Sequence, residues 1–593
     1  MKKFIYAVVI ALAATVTGCG DCANVLFSNG KSEYAIVLCS NASASERTAA
    51  AELQDYLEQI GGVVLPIMDS DKMTDGEKHI FIGYSKVYGA KCGVACPDKN
   101  DEGYTYRTVG DNIWIYGGSI RGTMYGVYSF LENEFGVRWY TKDCTVVKPM
   151  EQWCFKDFCH SESPFINYRF VQYFNVEPHK EWLAHNKCNS VWTAQENEYG
   201  GLVAYWNAHT FEQFVPSGKY FAEHPEYFSL RDGKRTPYTQ LCLSNPEVLQ
   251  LCIAGMKQAI ADNPLYWVYS MSQNDNMLPC QCEECRAIEE KFGGHSGLMV
   301  WFVNQVADAI KPLYPDKYIG TFAYQYTRKA PVGISPRENV VIRLCSIECC
   351  FAHPLEGCEH NAPFISDISD WSKIAPHLFI WDYVVNYRQY VAPFPNFGVL
   401  AENIRTFGKF NAIGIQEEAQ YESLGGEFSD MKSWVLSKLL WNPNLDTDSL
   451  VNQFIADYYG PAGTHIRQYF DLCHSLIKDE TVMGIYINDR NPLFTNEFIA
   501  EADKLLKLAK EAVASCSDDI RLRVDMVALQ IDYLRVLRIP QEAVDDGTRD
   551  RFFEFIRKHN ILLNEPQSIE ESIEFILRNT SKYLRPGAAP GAH

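Results

Sequence analysis

The sequence predicts an α/β protein built on a central (β/α)8 barrel, preceded by an α+β domain and followed by a helical one. Three observations carry that expectation. At 593 residues the chain is too long for a single core and has room for roughly three to four domains. Between about 165 and 425, short apolar runs alternate with helical stretches, the signature of repeated βα units. From 426 onward the strand-like runs stop and amphipathic helical segments take over.

The chain opens with MKKFIYAVVIALAATVTGC. Two lysines precede an apolar run too short to span a bilayer, which is the plan of a secretory signal over residues 1–18. Val16-Thr17-Gly18-Cys19 resembles a bacterial lipobox, which implies cleavage before Cys19, lipidation of its thiol and a Gram-negative envelope. Gly-Asp-Cys-Ala-Asn after the cleavage point is not an acid-rich run, so a periplasm-facing anchor is favoured over the cell surface. The membrane is expected to be reached through the lipid alone.

Residues 24–160 read as the first domain. YAIVLCS, HIFIGYS and NIWIYGG are its strands. A helix over 45–62 places Ala49, Leu53, Tyr56 and Leu57 on one face and stops at Gly61-Gly62. The closing stretch GGSIRGTMYGVYSFLENEFGVRWYTK resembles the N-terminal domain of β-hexosaminidases and α-glucuronidases, a domain that carries no chemistry in those families.

The barrel is expected over 165–425. Its strands are NYRFVQYF, CNSVWTA, VAYWNAH, WVYSMSQ, YIGTFAYQY, NVVIRLCSIE, HLFIWDYVV and NAIGIQEE. The third is the least marked, because a long loop (210–240) follows it. Helices such as PEVLQLCIAGMKQAI and HSGLMVWFVNQVADAIKPLY intervene. A helical domain follows over 426–585, and LRPGAAPGAH ends in a patternless tail, 586–593.

A net charge of −20 with no visible basic face excludes nucleic acid as a partner. No cofactor is indicated.

In such a barrel the functional side chains stand at the C-terminal ends of the strands. Strand four ends at Asn274-Asp275-Asn276, strand six at Glu348, strand seven at Trp381-Asp382, and strand eight at Glu417-Glu418. Strand five adds Tyr324 and Tyr326, strand three adds His209, and the loop after strand seven adds Tyr387. Several carboxylates around an aromatic mouth suit glycosidic bond cleavage, which needs a proton donor and a second carboxylate. The bland reading of each residue stands beside this one. Asn-Asp-Asn is also turn chemistry. Glu348, in apolar company, is either a raised-pKa acid or the partner of an arginine. Asp382 can hold a loop, and only one of Glu417 and Glu418 can face the pocket.

Twenty cysteines in an exported chain ordinarily indicate disulfides. Here many sit inside strand-like runs and read as reduced core residues. CQCEEC at 280–285 has spacing for three thiolates on zinc, with Cys242, Cys349 or His295 as conceivable fourth ligands. Packing or a disulfide is the expectation, and no metal site is assigned.

SQNDNMLPCQCEEC, IECCFAHPL, IWDYVVNYRQYVAPFPNF, HPEYFSLRDGKR with QLCLSNPEV, and KLLWNPNLDTDSLVNQFIADYYGPAG resemble a family of bacterial envelope lipoproteins catalogued as a domain of unknown function (DUF4838-type). Part of that family overlaps glycoside hydrolase family 163, endo-β-N-acetylglucosaminidases of complex N-glycans. The resemblance implies a retaining, substrate-assisted reaction on an N-glycan or another GlcNAc-containing oligosaccharide. Under it Glu348 is cast as general acid, Asp275 as the partner of the substrate acetamide, and Glu417 as a reserve for either role. Asn274, Asn276, Trp381, Asp382, Tyr324, Tyr326, His209, Glu418 and Tyr387 are cast as substrate contacts. The alternatives are an α-glucuronidase-like exo-hydrolase, which needs a cation for the uronate, and a non-catalytic glycan-binding lipoprotein.

Overall fold

A computed structural model describes residues 24–73, 78–565 and 567–585. The signal segment, Cys19 and the tail 586–593 lie outside the described residues. No helix among the described residues is long and apolar enough to cross a membrane.

The chain divides into two compact units. The first runs to Pro164 and includes His179–Lys187 and Glu196–Gly201. Its six-stranded sheet has the order Cys159–Glu162, Tyr104–Val109, Asn112–Gly117, Lys78–Ile82, Tyr34–Leu38, Ile67–Asp69. Its longest helices are Ala44–Gly61 and Gly122–Phe135. Ser43 and Glu46 form a reciprocal capping box at the start of the first helix, which satisfies two backbone donors. Gly62, at φ +64°, ends it in a left-handed conformation that costs a glycine little. Ala49, Leu53 and Leu57 are buried on the predicted face.

The second unit holds an eight-stranded, all-parallel, nearly closed barrel. Its strands are β1 (Tyr168–Gln172), β2 (Ser190–Val191), β3 (Val203–Trp206), β4 (Val268–Ser270), β5 (Tyr318–Ala323), β6 (Val340–Cys345), β7 (His377–Tyr383) and β8 (Ala412–Glu418). Pairing runs β1-β8-β7-β6-β5-β4-β3-β2. At the seam between β1 and β2, Asn189 takes the place of a backbone ladder. Its Oδ1 accepts from the Arg169 N–H at 2.9 Å and its Nδ2 donates to the Asn167 carbonyl at 2.7 Å.

The barrel interior is not wholly apolar. Arg343 of β6, only 1 % exposed, points inward with its guanidinium carbon 4.4 Å from the ring centres of both Tyr205 and Trp381. It donates to Gln416, which in turn donates to Gln172. Gly320 on β5 makes room for Tyr205: a Cβ there would fall 1.5 Å from the tyrosine hydroxyl.

The unit continues into a helical region that begins with Ser429–Trp441, Thr447–Tyr458 and Gly463–His474. Between the helices ending at His474 and starting at Asn496, an extended segment returns to the barrel. Met483 and Ile485 carbonyls accept the Phe351 and Tyr387 N–H groups, both at 2.8 Å, and the Ile487 carbonyl accepts from Asn386 Nδ2 at 2.9 Å.

Candidate active site

The loop after β4 is braced at two of its three polar residues and open at the third. Asn274 spends all its polar groups inside the protein. Its Oδ1 accepts the Glu212 N–H at 2.9 Å, its Nδ2 donates to the Thr239 carbonyl at 2.8 Å, and its N–H donates to Gln240 Oε1 at 2.9 Å. Gln240 Nε2 donates to the carbonyls of Asn274 and Asn276 at 2.7 and 2.8 Å. Asn276 Oδ1 accepts from Gln240 Nε2 at 3.0 Å and from the Leu278 N–H at 3.2 Å. Asn274 and Asn276, expected as substrate contacts, both hold the turn through their amides. Asp275 between them is exposed.

Tyr324, at the end of β5, donates from its hydroxyl to Asp275 Oδ1 at 3.2 Å and accepts from Gln325 Nε2 at 2.8 Å. Burial, and then the Asp275 charge, push the phenol well above its ordinary pKa, so it stays a neutral donor. His209 lies alongside, its ring centre 6.0 Å from that of Tyr324. Its backbone has φ +52°, a strained conformation for a histidine, held by its N–H donating to Ser272 Oγ at 3.0 Å. Nδ1 is 2.8 Å from the Gln273 carbonyl. A carbonyl only accepts, so Nδ1 carries a proton. Tyr326 does not join this group. Its ring packs edge-on against His295 at 5.4 Å, on the helical side of the barrel wall, because the single helical turn Gln325–Thr327 carries it away from the mouth.

On β7 and β8 strand parity sorts the acids. Trp381 faces Gln416 and Asp382 faces Glu417 in the register. Trp381 and Glu418 point to the interior, where the indole N–H donates to Glu418 Oε2. Burial drives the Glu418 carboxyl up to about 8 against the lowering effect of that bond, so it holds its proton at neutral pH. Asp382 and Glu417 point the other way and are buried as a coupled pair. Burial raises both, and the Asp382 charge raises Glu417 further. Asp382 accepts from Ser346 Oγ. The expectation that Glu417 works at the mouth meets this geometry: its side chain leaves the strand on the face opposite to Glu418.

Glu348 lies beyond β6, exposed, with Oε2 2.9 Å from Arg328 Nη1. Arg328 also holds Asp367 at 2.7 Å. Trp381 is nearly buried, one side of its ring taken by Arg343 and its edges by Trp192 and Phe322 at 5.9 and 5.6 Å. It forms the floor and leaves little open face for stacking.

Three groups of the mouth have no strand-end signature. Tyr486, on the returning segment, keeps much of its ring exposed, while partial burial and then the nearby Asp275 charge raise its phenol. Tyr387 packs edge-on between Tyr383 and Tyr390 at 5.9 and 5.7 Å, and burial raises its phenol. Tyr421 donates to Glu565 at 3.2 Å. An exposed tyrosine in GIYIND is the only hint the sequence offers for Tyr486.

The cysteines after this loop form no disulfide: Cys242, Cys280, Cys282 and Cys285 are free thiols and buried together. Cys242 joins them, while His295 pairs with Glu289 at 2.6 Å.

The model for the family "Domain of unknown function (DUF4838)" matches residues 139–471. The chain belongs to that family. Comparison with curated protein sequences finds no match. Among solved structures, the chain is similar to a GH115 4-O-methyl-α-glucuronidase, BtGH115A, with specificity for decorated arabinogalactans. The identity is 11%, the TM-score 0.53, and the match covers 94% of this chain and 77% of that one. It is also similar to a GH138 enzyme targeting pectin rhamnogalacturonan II, at 10% identity and TM-score 0.46 over 93% and 99% of the two chains. A chitobiase of Flavobacterium johnsoniae aligns at 11% identity and TM-score 0.46 over 94% and 93%. At these identities the likeness is one of fold.

Proposed function

We propose that this protein is a glycoside hydrolase that cleaves β-linked N-acetylglucosamine in N-glycans with retention, using the substrate's own acetamide. The reading rests on a buried Glu418 on β8, whose carboxyl burial raises to about 8, and an exposed Asp275 on the loop after β4, bonded to Tyr324. Two carboxyl groups whose surroundings separate their tasks are what acid catalysis beside a carboxylate requires. Fold alone does not give function; a fold shared with a 4-O-methyl-α-glucuronidase is compatible with the reading and no more.

In the reaction, the acetamide oxygen attacks C1 while Glu418 gives its proton to the departing glycosidic oxygen. Asp275, oriented by Tyr324, accepts from the acetamide N–H and supports the positive charge of the cyclic intermediate. Water, deprotonated by the Glu418 carboxylate, then opens that intermediate at C1, and the proton and the configuration are both restored. In this reading His209 and Tyr486 contact sugar hydroxyls.

The uronidase alternative is less well supported. Arg328 is spent on Glu348 and Asp367, and Arg343 lies beneath Trp381. The proposed site of action is the cell envelope, with the protein tethered through Cys19; mass spectrometry of the native N-terminus tests for a lipidated cysteine.

Incubation with protein-linked and released N-glycans, with products read by mass spectrometry, decides the activity. Cleavage between the two core GlcNAc residues is expected. Release of a uronic acid, or binding without turnover, overturns the reading.

A further inference from the structure

We propose that Cys242, Cys280, Cys282 and Cys285 bind one zinc ion that fixes the loop presenting Asp275. No step of the reaction uses these cysteines, and the proposal is independent of the substrate.

The four sulfurs all lie within 4.8 Å of one another. Cys242 Sγ is 3.6 Å from that of Cys282 and 3.9 Å from that of Cys285. Four thiolates at about 2.3 Å from a central zinc form a tetrahedron with edges of about 3.8 Å, the spacing found here. A disulfide needs about 2.05 Å. The separation leaves room for one central ion and none for a cluster with its own sulfides, which favours zinc over iron–sulfur.

The surroundings are those of thiolates and not of apolar thiols. The Leu230 N–H donates to Cys280 Sγ at 3.3 Å and the Cys285 N–H to Cys282 Sγ at 3.5 Å. Ser244 Oγ lies 3.2 Å from Cys285 Sγ and 3.6 Å from Cys282 Sγ. The Arg235 guanidinium sits beside Cys242 and offsets the negative charge that four thiolates leave on a divalent ion. Such groups around the ligands orient them and tune the metal.

The consequence for the site follows from the sequence order. Cys242 comes two residues after Gln240, which holds both Asn274 and Asn276. Cys280 closes the same loop from its other end. A metal at this point ties the long excursion after β3 to the loop after β4, so Asp275 stands on a stapled turn.

The full mature protein, purified without chelators, tests this by elemental analysis and native mass spectrometry. One zinc per chain is expected, with the four thiols shielded from a thiol reagent until a mercurial releases the metal. Growth on cobalt should yield the strong visible absorption of a tetrahedral tetrathiolate site. Cys242→Ser should bring zinc to background; if that variant fails to fold, the metal content of the unaltered protein decides alone. Metal-free protein with freely reacting thiols, a disulfide within the set, or iron with acid-labile sulfide each overturns the assignment. None of these readouts depends on catalysis.

Discussion

The Trp381 indole N–H donates to Glu418 Oε2 while the same ring lies 4.4 Å from the Arg343 guanidinium carbon. One side chain therefore sets the position and the proton affinity of the proposed acid. Trp381→Phe keeps the ring and removes the donor. The bond favours the ionised form, so its loss must raise the Glu418 pKa above about 8. The alkaline limb of kcat/KM should move to higher pH, and an unmoved limb would separate Glu418 from that ionisation.

Glu418→Gln should lose roughly 10²–10⁴-fold in kcat on a substrate with a poor leaving group, and much less on an aryl glycoside that needs no protonation. Glu348→Gln should leave that contrast intact, because its carboxylate is held by Arg328. If the two variants exchange phenotypes, Glu348 is the acid.

The same residue has a stability signature. Its folded pKa, about 8, lies above the unfolded value near 4.5. Between those values the unfolded chain has lost the proton that the folded chain keeps, so stability falls as pH rises through this window. Glu418→Gln should flatten that slope and raise the melting temperature at pH 8, measured by differential scanning fluorimetry across pH.

Asp275→Asn and Asn274→Ala should part company. Asp275 is exposed, and its Asn variant should lose activity while melting as the parent does. Asn274→Ala strands two partners, the Glu212 N–H and the Thr239 carbonyl, at a cost of about 1–3 kcal/mol for a lost donor or acceptor, and should lose both activity and melting temperature. Equal melting temperatures for the two variants would refute the bracing role.

Below the mouth, Lys432 and Glu427 form a fully buried ion pair at 2.5 Å, and Lys432 also donates to the Val384 and Phe394 carbonyls. Lys432→Met alone leaves a buried carboxylate unpaired and should cost about 3–5 kcal/mol. Joining it with Glu427→Leu should recover part of that loss in a denaturant titration.

All eight predicted barrel strands appear, including VAYW before the long loop, because a buried parallel strand writes itself as a continuous apolar run. The same kind of run places Asp275 on the loop that follows β4. The choice between Glu417 and Glu418 was not legible, since alternation fixes that they diverge but not which one looks inward. Tyr486 and Cys242 escape any local pattern, being brought in from loops remote in sequence from the strands they serve. Tyr326 misled because the helical turn after β5 ends the period of two that the run of tyrosines implies.

The segment Met483–Ile487, pinned to the loops after β6 and β7, ties completion of the barrel mouth to the order of synthesis. A chain that has emerged only as far as Tyr458 already contains every barrel strand and both proposed carboxyl groups, yet has no Tyr486 above them and no Glu565 to meet Tyr421. Domains fold from the N-terminus as they are made, so the mouth is finished last. A prematurely terminated product therefore lacks the acceptors of the Phe351 and Tyr387 N–H groups and of Asn386 Nδ2.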